Sequence, residues 1–348
     1  MSTLKVDNIR HNSATSDAIT MASDGTCTAK VTSINGGSAL SHRNILINGS
    51  CAISQRGTSF SGSGFTLDRY YVGGGDYSVA QVTDAPSNSG LTYSIRVSRS
   101  SNTTGYLTYQ MIELPATGQA GQFYNGAKFT LSGYVKGTSG ATMIPTLRFS
   151  TGTSGSNGSN FDRTEGVFTC NGSWQPFTFH FTVDENVGGS DKCVQSYFTF
   201  VTTATGQNVF FTGLQLEAGD TATSFEHRSA GEEFARCQRY YQQYVNISAV
   251  GYVPNNSSRT YSHGWFFPVA MRAAPTLTLT NTGSTGGQYI TDGQTNRYIS
   301  SALSQGATTT HMSLSFNITG DLSDYRGAYL FGTENTQYQT TYKIDAEL

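Results

Sequence analysis

Residues 209–245 read VFFTGLQLEAGDTATSFEHRSAGEEFARCQRYYQQYV, and here strand-like sequence gives way to helical sequence. Val209 to Ala218 reads as a strand that closes a β-domain. Ser229-Ala230-Gly231-Glu232 then has the form of a capping box: the Ser hydroxyl accepts from the backbone N–H three residues on, and the Glu reaches back. Beyond it Phe234, Cys237, Tyr241 and Tyr244 recur at three- and four-residue spacing, with Glu232 and Arg236 at i,i+4. The spacing predicts one helix over 229–245, the only helix expected in the chain. Its large side chains, Tyr240 included, need cover. Phe234, Cys237, Tyr241 and Tyr244 are therefore expected to pack against the neighbouring domain or against symmetry mates.

Outward from this stretch the pattern is β. Between Asn44 and about Glu226, apolar residues alternate with polar ones: Tyr93, Ile95, Val97; Phe129, Leu131, Val135; Phe177, Phe179, Phe181, Val183. Such strands have one buried and one wet face, which specifies an antiparallel sandwich. Turn signals at Asn88-Ser89-Gly90, Asn125-Gly126 and Asn171-Gly172 separate about eight to ten strands, the count of a jelly roll. Leu277 to Leu279, Met312 to Ile318 and Tyr342 to Leu348 alternate again. The expected organisation is a segment at 1–43, a jelly-roll β-sandwich at 44–228, a linking helix at 229–245 and a C-terminal β-sandwich tip at 246–348, an all-β chain. In the first segment Leu4, Val6, Ile9, Ile19, Met21, Val31 and Ile34 are too sparse to enclose a core within one chain.

Composition narrows the function classes. Charged residues are 13% of the 348, about half the ~25% of an average globular protein, so neutral polar groups must cover the surface. A formal net charge of -2 leaves no basic excess for a phosphate backbone, and nucleic-acid binding is not expected. No apolar run approaches the ~20 residues of a membrane-spanning helix. The start of the chain lacks the pattern of a secretory signal. The five cysteines show no CxxC pattern and suit free thiols.

Three blocks carry a resemblance. The run from Leu214 to Tyr244, with Asn44-Ile45-Leu46-Ile47-Asn48-Gly49 and Gln55-Arg56-Gly57, resembles the receptor-binding tail-fibre proteins of tailed bacteriophages, especially short-tailed phages of marine bacteria. The N-terminal LKVDNI and AITMASDGT wording, Phe267 to Leu277 and the closing Ile344 to Leu348 are similar to such fibres as well. In one departure, Ser50-Cys51-Ala52-Ile53-Ser54 stands where those proteins carry an acidic residue and a hydrophobic strand. The resemblance implies a virion protein made in the host cytoplasm and released by lysis. It further implies a virion-anchoring segment at 1–43 that docks on other virion proteins, a homotrimer, and a tip that meets a host surface glycan or receptor. A fibre or decoration protein on the capsid is the alternative within structural proteins; a glycan depolymerase is the alternative among enzymes.

Hydrolysis of a glycan needs two carboxylates roughly 5 to 10 Å apart across a cleft. Asp68, Asp76, Glu113, Asp162, Glu165, Asp184, Glu185, Glu217 and Asp220 are scattered, and no nucleophile elbow, HExxH or Walker loop occurs. No enzyme activity, cofactor or resident metal is expected. A calcium held through Asp68, Glu217 or Asp220 is the one metal reading left open. Sugar binding suits the composition best, since aromatic rings stack on pyranose faces while amides and hydroxyls read sugar hydroxyls. The candidates lie in polar C-terminal loops: Tyr289, Asp292, Gln294, Asn296 and Tyr298, and then Tyr325 and Arg326. Trp174 is expected in the core.

Overall fold

The computed structural model describes residues 6–347 apart from 11, 14, 16–17, 25–26, 30–32, 35–36, 39–41, 74–76, 100–104, 115–120, 151–159, 184–192, 202–206, 254–258, 263, 281–287, 319, 321, 323–326 and 332–339. Tyr325 and Arg326, together with Asp76, Asp184 and Glu185, thus lie outside the described residues. Among the described residues the strands pair antiparallel, and one nine-residue helix, Ala230–Gln238, interrupts them. Near the N-terminus Asn8–Ile9, Ile19–Met21 and Cys27–Ala29 form a small sheet.

Two sheets make the sandwich. One has six strands in the order Gln175–Thr182, Lys128–Gly137, Asn208–Ala218, Ser94–Arg99, Tyr77–Val82 and Ser59–Ser61. The other runs Asn160–Thr164, Thr142–Ser150, Cys193–Val201, Gly105–Glu113, Tyr71–Val72 and Gly64–Phe65, with Phe168–Thr169 beside Thr142–Ser150. Alternation decides which side chains meet between them: Ile95, Val97, Phe129, Leu131, Phe177 and Phe211 face Leu147, Phe149, Val194 and Phe198 in one core. Phe198 bridges the sheets, with ring centroids 5.9 Å from Phe177 and 6.0 Å from Phe211. Asn208–Ala218 bulges opposite Ser132 and Tyr134, and Gly213 absorbs the extra residue at φ +62°. A Cβ there would stand 2.8 Å from Leu91, so the bulge requires glycine.

The stretch 44–49 is stitched to this sandwich. Asn44 Oδ1 accepts from the backbone N–H groups of Leu46 and Leu216, and its amide donates to Leu214 O at 2.8 Å. Gly49 passes so near that a Cβ would lie 2.2 Å from Leu214 O, a position only glycine fills.

In the C-terminal domain Tyr241–Val245, Thr341–Asp345 and Thr276–Thr280 form a three-stranded sheet with the Thr341 strand in the centre. Its core is shared with a seven-stranded sheet in the order Arg259–Ser262, Ala249–Tyr252, Gly327–Phe331, Tyr289–Thr291, Asn296–Gln305, His311–Ile318 and Trp265–Phe266. Arg259–Ser262 also pairs with His311–Ile318, so six of the seven strands close into a ring. Tyr342, fully buried, donates its hydroxyl to Gln288 Oε1 inside.

The helix departs from its expected extent. It ends at Gln238, and residues 241–245 are strand because the backbone of Thr341–Asp345 pairs with them. Ser229 caps it, accepting from Glu232 N at 3.2 Å, while the Glu232 carboxylate turns to Arg236 at 3.0 Å and to His42 at 3.4 Å. The buried face carries Glu233 and Cys237, and Phe234 stays 39% exposed. Glu233 wins that face because its carboxylate accepts from Asn48 N and pairs with Arg228. Tyr241 and Tyr244 part company on the strand. Tyr241 lies under the Arg56 guanidinium, 3.6 Å from ring centroid to Cζ, and Tyr244 packs on Trp265 at 4.6 Å.

Around these residues the two domains are joined by charges, the innermost of them buried. Arg69 pairs with Glu347, with side chains 2% and 3% exposed, and stacks 3.4 Å above the Tyr240 ring. Arg56 reaches Asp345 at 3.3 Å and Glu347 at 3.4 Å. Gln55 bonds Asp68 through both backbone and side chain and donates to Tyr241 O. Glu113 of the sandwich holds Arg239 at 3.0 Å and Arg272 at 3.6 Å. Burial pushes the Glu347 and Asp68 carboxyls above their ordinary range, against the pull of the neighbouring guanidinium groups.

Glu347→Gln leaves Arg69 buried without its anion, and denaturant unfolding should show a loss of about 3–5 kcal/mol. The double change Arg69→Met, Glu347→Leu should lose much less, because no lone charge is left inside; equal losses would show that the pair is not what the joint rests on. Phe234→Ser should change stability by no more than about 0.5 kcal/mol in the same measurement.

Candidate glycan-binding face

Register places the candidate residues of the C-terminal domain side by side. Val250 stands opposite Tyr329, Tyr329 opposite Thr291, and Thr291 opposite Asn296. Directly opposed residues of antiparallel strands share a face, with Cβ atoms about 4.5–5.5 Å apart, so these four form one row across four strands. A second row holds Tyr289 opposite Tyr298. Tyr252 follows Val250 on its strand at the same-face spacing of two. It lies opposite Gly327, whose missing side chain leaves that flank low, for nothing stands within 4 Å of a Cβ built there.

The alternate residues point the other way. Ile290, Leu330 and Ile299 are buried in the core, which fixes the tyrosine-bearing face as the outward one. Val250, Tyr252 and Tyr329 are 58%, 51% and 49% exposed, and Tyr289 and Tyr298 are half-buried. Four tyrosines, a valine, a threonine and an asparagine thus line a sheet surface that bears no ionised side chain among these seven positions. Tyrosine offers a rigid apolar ring with a polar tip, the combination that stacks on a sugar ring and bonds its hydroxyls.

Asp292 has a different part. It is buried at the hairpin turn, and its Oδ1 accepts from Gln294 N at 2.9 Å and Thr295 N at 2.8 Å. Thr291 Oγ1 accepts from Gly293 N, and Gly293 takes φ +87°. The aspartate shapes the turn that presents Gln294 and Asn296, both exposed. Sequence reasoning missed Val250, Tyr252 and Tyr329, which enter from strands about 40 residues to either side of the hairpin; one-residue spacing of Val250 and Tyr252 around Gly251 was the available signal.

Five of the scattered acids are placed with structural partners. Asp162 takes two bonds from Arg148 and one from Tyr197, Glu217 accepts from Thr223 N and Oγ1, and Asp220 pairs with Lys128. Asp68 and Glu113 belong to the domain joint. Among the described residues no group of three or more His, Cys, Asp or Glu side chains is placed to hold a metal ion.

No family model and no curated protein matches the sequence. Solved structures similar to part of the chain include the CBM22-1–GH10 modules of Clostridium thermocellum xylanase 10B, at 12% identity and TM-score 0.35, covering 51% of this chain and 29% of that one. The enzymatically active domain of bacteriophage CBA120 tailspike protein 4 is similar at 15% identity and TM-score 0.34, covering 51% of this chain and 21% of that one. The CBM22-1 xylan-binding domain from Paenibacillus barcinonensis is similar at 13% identity and TM-score 0.32, covering 47% of this chain and 94% of that one.

Asp292→Ala removes two turn hydrogen bonds and should cost about 1–2 kcal/mol. Amide hydrogen exchange should then speed up at Gln294 and Thr295 while the rate at Ile344, in the core sheet, stays as it was.

Proposed function

We propose that this chain is a virion fibre protein of a tailed bacteriophage, attaching the particle to its host by binding surface glycans through the outward face of the C-terminal ring. The observation that carries the reading is the face itself: exposed Tyr252 and Tyr329, with Tyr289 and Tyr298 beside them, on a rigid sheet among neutral polar groups. A flat face of this kind makes modest single contacts, and three copies in a homotrimer raise the avidity by about 100-fold or more through effective concentration. Ile9 and Met21, 48% and 42% exposed on the small N-terminal strands, suit burial against two further copies in a stalk that docks on the virion. The protein binds its glycan without cleaving it.

Tyr252→Ala and Tyr329→Ala should each weaken binding to an immobilised array of neutral bacterial surface glycans by about tenfold, at roughly 1–2 kcal/mol per lost stacking contact. Their melting temperatures should stay within a few degrees of the parent. Binding that survives both changes overturns the assignment of the face, and new reducing ends released from a bound polysaccharide overturn the non-catalytic reading. A folded monomer in sedimentation overturns the trimer.

A further inference from the structure

The outer face of the six-stranded sandwich sheet carries a second set of aromatic and charged side chains, remote in sequence from the ring. Lys136 stands opposite Phe210, Phe210 opposite Arg96, and Arg96 opposite Ala80, so one row crosses four strands. Their chain neighbours Val135, Phe211, Ile95 and Val79 are buried in the core, which turns the row outward. Trp174, from the turn before Gln175–Thr182, lies edge-on to Phe210 with centroids 6.4 Å apart. It is half-buried here and not in the core where its sequence context predicts it.

The polar groups of this face divide into two kinds. Trp174 donates its indole N–H to Asp84 Oδ1 at 3.0 Å, and Lys136 donates to Asp84 Oδ2. Burial alone would raise the Asp84 carboxyl, but the bonds from Lys136 and Trp174 outweigh it and hold the group below its ordinary range. Lys136 sits 4.4 Å from the Phe210 centroid and 5.3 Å from that of Trp174. Asp84 therefore offsets its charge, and both remain reachable, with side chains 41% and 21% exposed. Arg96 has no such counterpart. Its Nε is buried without a hydrogen-bond partner, and among the described residues no carboxylate lies within ion-pair distance of its guanidinium. Its cross-strand neighbours are Phe210 and the short Ala80.

A guanidinium is planar, permanently charged and shaped to meet a carboxylate with two parallel N–H bonds. Half-buried beside Phe210 and with no carboxylate partner among the described residues, it forms the anion-binding half of a site whose other half is the aromatic shelf of Phe210 and Trp174. We propose that this face is a second carbohydrate subsite, specific for an acidic sugar of the hexuronate class. The sugar carboxylate meets Arg96, its apolar ring face lies on Phe210 and Trp174, and the Lys136–Asp84 pair supplies one donor and one acceptor to ring hydroxyls. Charge complementarity singles out this occupant: a neutral sugar would leave Arg96 as it stands, and a hydrophobic partner would bury it without an anion. The ring tyrosines read a neutral surface, so the two sites answer to different ligands.

Calorimetric titration with tetragalacturonate, a hyaluronan tetrasaccharide and tetramannuronate tests the proposal, with methyl-esterified tetragalacturonate as the neutral control. At least one acidic oligomer should bind, with Trp174 fluorescence changing in step and affinity falling as salt rises. Arg96→Gln should weaken that binding at least tenfold, and Arg96→Lys by less. The ester should bind at least tenfold more weakly than its parent acid, and Tyr252→Ala in the ring should change nothing. Circular dichroism of Arg96→Gln should overlay that of the parent, so that lost binding is not lost folding. No binding by any of the three acids, equal binding of acid and ester, or binding indifferent to Arg96→Gln each overturns the proposal, whatever the ring variants do to neutral glycans.

Discussion

The ion pair between Arg69 and Glu347 is the constraint on which the two-domain arrangement depends. Taking both groups out of water costs several kcal/mol per ion, and their attraction repays that only when the geometry is good and the remaining donors are used. Here Arg69 also donates to Met111 O and lies on the Tyr240 ring, though its Nε is buried without a hydrogen-bond partner, while Glu347 receives Arg56 as well. The arrangement contributes less to net stability than to uniqueness. A sliding or rotated joint would strand at least one charge without a partner, whereas apolar contacts alone would tolerate several packings. The C-terminal domain is thereby fixed on the sandwich, and its tyrosine face with it.

The strand Thr341–Asp345 explains how the charges reach one another. It is the centre of the three-stranded sheet, so its direction is set on both sides by backbone pairing, and it delivers Asp345 and Glu347 to the sandwich. The helix exit is fixed by the same strand, for Ala346 N donates to Tyr240 O at 2.8 Å and Arg272 Nε donates to Ala346 O at 2.9 Å. Cys237, fully buried beneath, has its thiol pushed well above the ordinary range by burial and by the nearby Asp68 and Glu233 charges. It fills space as a small apolar group.

This geometry also explains what could be seen from residues alone. Period-two alternation in Ile95 and Val97, or Phe129 and Leu131, names a buried face directly, because a strand's inward positions depend only on parity. The helix boundary was not legible past Gln238, since what turns Tyr241–Val245 into strand is a partner about 100 residues away. Phe234 was expected to pack, but it stays 39% exposed and Glu233 takes the buried place. Glu233 is held there because Arg228 and Asn48, contributed from elsewhere, satisfy the carboxylate. At the candidate face, Tyr289 and Tyr298 were legible because one hairpin contains both. Tyr252 and Tyr329 join them only through the ring.

The three sequence blocks singled out above converge on the helix and the joint and not on either proposed binding face. Asn44 to Gly49 bonds Leu214, Leu216, Arg228 and Glu233; Gln55 and Arg56 meet Asp68, Tyr241, Asp345 and Glu347. Residues that must satisfy several buried donors and acceptors at once have few substitutes, whereas those of exposed strand faces have many. In a chain with only 21 Lys and Arg residues, that same economy gives Arg96 its meaning. Arg56, Arg69, Arg228, Arg239 and Arg272 each have carboxylate partners at the joint. Arg96, half-buried on a sheet face beside Phe210 and without a carboxylate partner among the described residues, is not serving the fold in the way those do. Its missing partner is therefore to be sought in what the protein binds.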